Sequence, residues 1–578
     1  MYTPELAPLA DSLLWSSMIA ILPLMTIFLT LGVLRWKAHW AGLAALAVAI
    51  LVAVVVYGMP AHLVALSATQ GFAFGIFPIM WIVLNAIWLY ELTVRSGRFE
   101  DLRLVINAIS DDPRVQAIII AFCFGGLLEA LAGFGAPVAI TGVMLMAIGF
   151  TAMRAATVVL IANTAPVAFG AIAIPIITAG NLTGIDYEHI GAIIGHQTPF
   201  LAALVPLFLV FLVDGKRGLR QLWPLALVVG VVFGISQFVS SNYLSVELTD
   251  IIASLAGLAA AVLMLRVWKP VGGQDALAKM AEERDADATS PSDAGADATS
   301  GTGPGSGSEV GSSQVDVQSP PRTGAALTPG RVFLALFPYL LVIVIFSASK
   351  LAGPLSTWLE ATDITIPWPG LDGNVLTADG EVTTSTVYAL QWLSSPGTLL
   401  LITGVIVALV YRLSVRDAVD VYLTNVVKLR YSILTVAAVL ALAYVMNQSG
   451  QTITIGTWIA GTGAAFAFFS PILGWLGTAV TGSDTSANAL FATLQQTAAE
   501  NAGLDPALLV AANTSGGVVG KMISPQNLTI AATAVGLVGQ ESAIFRKVIW
   551  WSLGMLVALC LLVGLQSTTV LSWMIPVQ

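Results

Sequence analysis

One pattern occurs twice in this chain, each time interrupting an apolar run long enough to cross a bilayer: Asn-Thr, five residues, Gly, four residues, Pro. Asn163-Thr164 leads to Gly170 and Pro175, and Asn513-Thr514 leads to Gly520 and Pro525. A Gly and a Pro with polar side chains at membrane depth free backbone groups that lipid cannot satisfy, so each break must face protein or a wetted cavity. Paired breaks at matching places in two halves mark the substrate site of secondary transporters. The repeat therefore points to a carrier.

The membrane setting follows from composition. Of 578 residues, 57% are hydrophobic and only 10% charged, and the mean hydropathy is +0.87, far from soluble averages. Runs of spanning length include Leu13 to Leu34, His39 to Gly58, Gly71 to Leu92 and Val548 to Leu565. The expected fold is an all-α, polytopic integral membrane protein with roughly 12–14 transmembrane helices, some re-entrant or broken. The first run has no basic segment before it and no small-residue cleavage site after it, so it reads as a span and not as a removable signal. Cys123 and Cys560 lie in apolar runs and read as free, packed thiols.

Orientation follows the basic residues. Arg35 and Lys37, Arg95 to Arg114, Lys216 to Arg220, and Arg412 to Arg430 mark cytoplasmic loops. Leu351 to Tyr411 has no Lys or Arg but carries Glu360, Asp363, Asp372, Asp379 and Glu381, which places it outside with both termini. The loop after the first break, Asn181 to Ile190, is acidic; the loop after the second ends at the basic pair Arg546-Lys547. Equivalent loops on opposite sides make the repeat inverted. Residues 1–270 and 331–578 are the expected halves. Residues 271–330, rich in Asp, Ala, Ser, Gly and Thr, are expected to be a disordered acidic cytoplasmic linker, a passive tether in the first reading and a regulatory segment in the alternative.

Charges inside apolar runs are costly, at ~3 kcal/mol or more each, so the few present are candidates for function. Glu129 sits in a span that dissolves into Gly133, Gly135 and Pro137. Asp484 sits among small hydroxylated residues, Ser483 and Thr485 beside it. Either carboxyl can take up a proton in a low-dielectric pocket or hold a sodium ion among hydroxyls and carbonyls. A plainer alternative is a structural pair, Asp484 neutralising Lys521. Lys521 stands inside the second break and fits recognition of a carboxylate. His196 reads as a residue near the start of a span rather than a proton relay. The Asn-Thr pairs, with uncapped N–H groups where a broken helix restarts, suit an anion, and the glycines allow close backbone approach.

Other chemistries fail. Ser515 to Met522 lacks the Gly and the Ser or Thr that a phosphate-binding loop needs. The four His and two Cys are too far apart for metal-ligand spacing, so neither metal nor cofactor is implied. The net charge of −9 excludes nucleic-acid binding. An intramembrane enzyme using Asp484 and Glu129 finds no catalytic motif, and a passive channel leaves the duplicated breaks unexplained.

Gly125-Gly-Leu-Leu-Glu-Ala-Leu-Ala-Gly-Phe-Gly-Ala-Pro-Val-Ala139, Asn163 to Gly170, Thr481 to Phe491 and Ala511 to Gln526 closely resemble the L-lactate permease family, over about Trp15 to Pro576 without the linker. The resemblance implies uptake of L-lactate, and often glycolate, with protons across the cell membrane. The Asn-Thr breaks also resemble those of the broader ion transporter superfamily, which implies a homodimer, an elevator-like movement and, as the rival reading, sodium-coupled transport of mono- or dicarboxylates. On this basis the carboxylate is expected between Asn163-Thr164 and Asn513-Thr514. Lys521 adds charge, Ser483 or Thr485 reaches the substrate hydroxyl, and Glu129 or Asp484 carries the coupling proton.

Overall fold

The computed structural model describes residues 1–133, 135–289, 328–377, 380 and 383–576. Phe134 of the first glycine break, Asp379 and Glu381 of the acidic loop, and linker residues 290–327 lie outside the described residues. Among the described residues, ten helices are long and apolar enough to cross a bilayer. Leu13–Val33, Ala38–Val55, Ala61–Arg95 and Glu541–Gln566 account for the four runs named above. The helix Thr198–Tyr243, with 46 residues, is too long for one crossing, and its backbone leaves helical geometry at Gly215 (φ +62°). Ala136–Ala147, Ala152–Ala162, Ala171–Thr183 and Pro396–Val410 are shorter apolar helices. The strands among the described residues form one antiparallel pair, Ile364–Pro367 on Val387–Leu390, in the acidic loop. The protein is thus an all-α, multi-pass membrane protein. Large apolar side chains such as Trp15, Leu51, Val55, Val344, Leu409 and Trp550 stand exposed, as acyl chains require and water does not.

The loops sort to two ends. Tyr2 donates its N–H to Asn374 in the acidic loop at 2.8 Å and its hydroxyl to the Ser449 carbonyl at 2.9 Å. Asn447 donates to Thr493, and Thr493 to the Leu182 carbonyl, so the N-terminus, the acidic loop and the loop after the first break share one end. The basic loops of both halves meet through Arg95–Asp417, Arg331–Asp101 and Lys428–Glu91.

Two sets of four helices hold the breaks. In the first half these are α1 (Gly125–Ala132), α2 (Ala136–Ala147), α3 (Ala152–Ala162) and α4 (Ile174–Thr183). In the second they are α5 (Phe466–Thr481), α6 (Asp484–Ala502), α7 (Pro506–Lys521) and α8 (Pro525–Ala534). α1 and α5 each end on a left-sided glycine, Gly133 (φ +43°) and Gly482 (φ +76°), a backbone that residues with a Cβ rarely adopt. Packing between the sets is reciprocal: α8 lies on α2 and α3, and α4 lies on α6 and α7. Each restarted helix is therefore held by the opposite half.

The start of the linker departs from expectation. Gly273–Thr289 is a helix with Ala276 and Met280 buried, tied down by Arg154–Glu283 at 2.5 Å, Lys279–Asp214 at 3.3 Å and Arg217–Asp275. Low hydrophobicity hid this, because two buried apolar side chains and three ion pairs, and not a continuous apolar face, fasten the helix. At the other end, the following helix already begins at Pro329.

Candidate functional site

Two helices at the centre are shut off from lipid. The span Pro113–Leu131, which ends in α1, is buried throughout, and in α7 every residue from Ala507 to Lys521 is buried. Glycines permit this: a Cβ on Gly516 or Gly520 would overlap the Pro471 or Trp475 carbonyl of α5. Where the two helices meet, Lys521 Nζ donates to Glu129 Oε1 at 2.6 Å, with side chains 10% and 3% exposed. The lysine's partner is thus Glu129, 392 residues away, and not Asp484 as the plainer alternative had it. The pairing is a tertiary contact between the two halves of the chain. Glu129 Oε2 has no partner.

Lys521 also lines a narrow, closed cleft, too tight here to admit a water molecule, with Asn163, Thr164, Val138, Leu160, Val167, Met522 and Asn527. The first Asn-Thr pair lies where expected: α3 ends at Ala162, Asn163 is its cap residue, and Asn163 Oδ1 is buried without a partner. Thr164 donates back to the Ile161 carbonyl at 2.6 Å. The break that follows is strained, with Ile172 (φ +49°) and Ala173 (φ +55°) in the left-handed region beside Gly170 (φ +47°). Gly133 approaches Ala171 and Gly135 approaches Ile530, so the glycine break abuts both restarted segments.

The second pair is placed differently. Asn513 and Thr514 lie inside the unbroken α7, and the interruption falls at 522–524, before Ser524 caps α8. Asn513 Nδ2 donates to Asn488 Oδ1 at 3.0 Å, Gln495 donates to Asn513 Oδ1 at 3.3 Å, and Thr514 donates to Asn488 Oδ1 at 3.0 Å. Both side chains are fully buried in this network. The expectation that both Asn-Thr pairs flank a break with uncapped N–H groups is corrected accordingly: Asn488 and Gln495 satisfy the second pair, and the helix continues past it.

Asp484 opens α6. Its Oδ1 accepts from Thr478 at 3.3 Å and sits so close to Gly517 that a Cβ there would overlap it, while Oδ2 has no partner. Ser483 is spent as the α6 cap, accepting the Ser486 N–H at 3.3 Å, and Thr485 is half-buried one residue on. Asn527, which the sequence reading passed over, donates to the carbonyls of Lys521 at 3.2 Å and Gly482 at 3.4 Å, joining the two second-half interruptions. Its signal was the Ser524-Pro525 start, which marks a helix cap with Asn three residues on. His196 stands apart, in the turn before Thr198. It lines an outer pocket with Asp186, His189, Asn242, Tyr243 and Trp573, and burial lowers its pKa from the ordinary 6.5 against a smaller opposing contact from the Ala192 carbonyl.

A multi-pass helical body whose enclosed centre holds an ammonium–carboxylate pair and unpartnered polar oxygens, next to interrupted helices, defines a membrane transporter. The chain belongs to the L-lactate permease family, whose model matches residues 16–570. It is 40% identical to the L-lactate permease of Bacillus subtilis (strain 168) over the full length of both chains. It is 41% identical to the glycolate permease GlcA of Escherichia coli (strain K12) over 93% of each chain, and 40% identical to the L-lactate permease of the same strain over 98% of each. It is a permease and not an enzyme.

Proposed function

We propose that the protein takes up L-lactate, and glycolate with it, into the cell by proton symport. The observation that carries this reading is Lys521, a buried cation held by Glu129 in a cleft that Asn163 also lines. The names of the relatives supply the cargo, a small 2-hydroxy acid anion. A carboxylate that reaches Lys521 takes the hydrogen bond now given to Glu129. An ionised Glu129 left without its partner costs several kcal/mol at this depth, so it takes up a proton. Anion loading and protonation then favour one another, which is the linkage a symporter needs. Asp484, with one oxygen unpartnered, is the second acid in reach. The reciprocal seating of α4 and α8 supports two inverted halves, 1–270 and 331–578, whose core moves against the remaining helices.

Purified protein in proteoliposomes tests the reading. An inward pH gradient without sodium should drive accumulation of L-lactate, with glycolate competing. Uptake that ignores the pH gradient and follows a sodium gradient would defeat the proton part. Competition by succinate would move the cargo to dicarboxylates.

A further inference from the structure

A third buried acid borders the site and takes no part in the mechanism above. Asp250, 1% exposed, stands at the start of the helix Thr249–Val267. Its Oδ1 accepts from Gln237 Nε2 at 3.2 Å, and the same nitrogen donates to the Ala165 carbonyl at 3.0 Å. Ala165 directly follows Thr164, inside the first break. Three oxygens here have no partner: Asp250 Oδ2, Gln237 Oε1 and Ser254 Oγ. Ser254 lies one helical turn from Asp250 and is seated over Gly126, itself one turn from Glu129. The charged groups that bear on Asp250 are Glu129 and Lys521. The Cys123 thiol faces the same helix farther along, near Gly257.

Gln237 has spent both amide hydrogens, one on Ala165 and one on Asp250, so it has none left for the unpartnered acceptors. Ionised, Asp250 adds a second negative charge beside Glu129, with Lys521 alone to offset them among the groups that bear on it. Protonated, it removes that charge and gains an O–H donor for Gln237 Oε1 or Ser254 Oγ. We infer that Asp250 is a second proton-binding site of the carrier, read by the first helix break through Gln237. Sodium is a poor occupant, because the Gln237 amide hydrogens and Lys521 both turn positive charge toward the spot. Gain or loss of the proton changes the pull of Asp250 on the Gln237 amide, and with it that amide's hold on the Ala165 carbonyl two residues from Asn163.

The inference rests on the proposed symport, and one experiment separates the two. Lactate counterflow in proteoliposomes is followed against pH for the wild type, Asp250→Asn and Asp250→Glu. The lactate KM of the wild type should rise with pH, with Asp250 contributing a slope approaching tenfold per pH unit. Asp250→Asn should lose that contribution, and Asp250→Glu should keep it. A dead Asp250→Asn beside a working Asp250→Glu also supports the proposal, since the acid itself is then required. If Asp250→Asn keeps the wild-type slope, or if both variants are dead, Asp250 is structural and the inference falls alone. A wild-type KM indifferent to pH overturns the symport reading and this inference together.

Discussion

Lys521 and Glu129 form a buried pair in which each member depends on the other. Removing one member of a buried pair strands the other, at a cost of about 3–5 kcal/mol, whereas replacing both is close to neutral. Lys521→Met should therefore lower thermal stability in detergent sharply, and Lys521→Met with Glu129→Gln should recover most of the loss. Transport should be absent from both. A double variant no more stable than the single would mean that the pair is not what holds α1 and α7 together. These two residues were legible as charges in apolar runs, but their partnership was not, because nothing local links positions so far apart. Asp250 escaped notice for a different reason: an acid at the first turn of a helix is a routine dipole partner, and only its burial against Gln237 marks it out.

At the scale of elements, the second break shows what sequence pattern can and cannot place. Asn163 caps the end of α3 with its Oδ1 unpartnered, and three residues of positive φ, Gly170, Ile172 and Ala173, follow. Asn513 occupies the matching position yet lies within α7, where Asn488 and Gln495 on α6 meet its amide. The pattern located both interruptions to within one helix, but the second falls at 522–524, after Lys521, and not at its Asn-Thr pair. Close approach of α5 and α7 rests on glycine. Gly516→Ala should push the helices apart and cost about 1–3 kcal/mol, read as a fall in unfolding temperature. Gly554→Ala, on the lipid-side helix Glu541–Gln566, meets nothing within 4 Å and should be neutral or stabilise by up to about 1 kcal/mol. Equal losses in the two variants would contradict the packing described.

The whole molecule is polarised between a basic end, to which the Gly273–Thr289 helix is strapped, and an end carrying the N-terminus, the acidic loop and the loop after the first break. The basic loops and the acidic loop announced this from charge alone, whereas the strap was hidden by a composition that looks unfoldable. His196, in the outer pocket, gives the molecule an acid sensitivity. Its folded pKa lies below the unfolded value near 6.5, so its share of stability is complete above that pH and is lost as pH falls through the folded pKa. His196→Gln should flatten the loss of thermal stability on acidification below about pH 6.5, and an unchanged profile would assign that loss to other groups.

The central claim is that loading of an anion at Lys521 obliges a buried carboxyl to take up a proton. Calorimetric titration of the purified protein with L-lactate, in buffers of differing ionisation enthalpy, counts protons exchanged per lactate bound. The account expects uptake of about one proton or more per lactate near neutral pH. Saturable lactate binding with no proton uptake would contradict it.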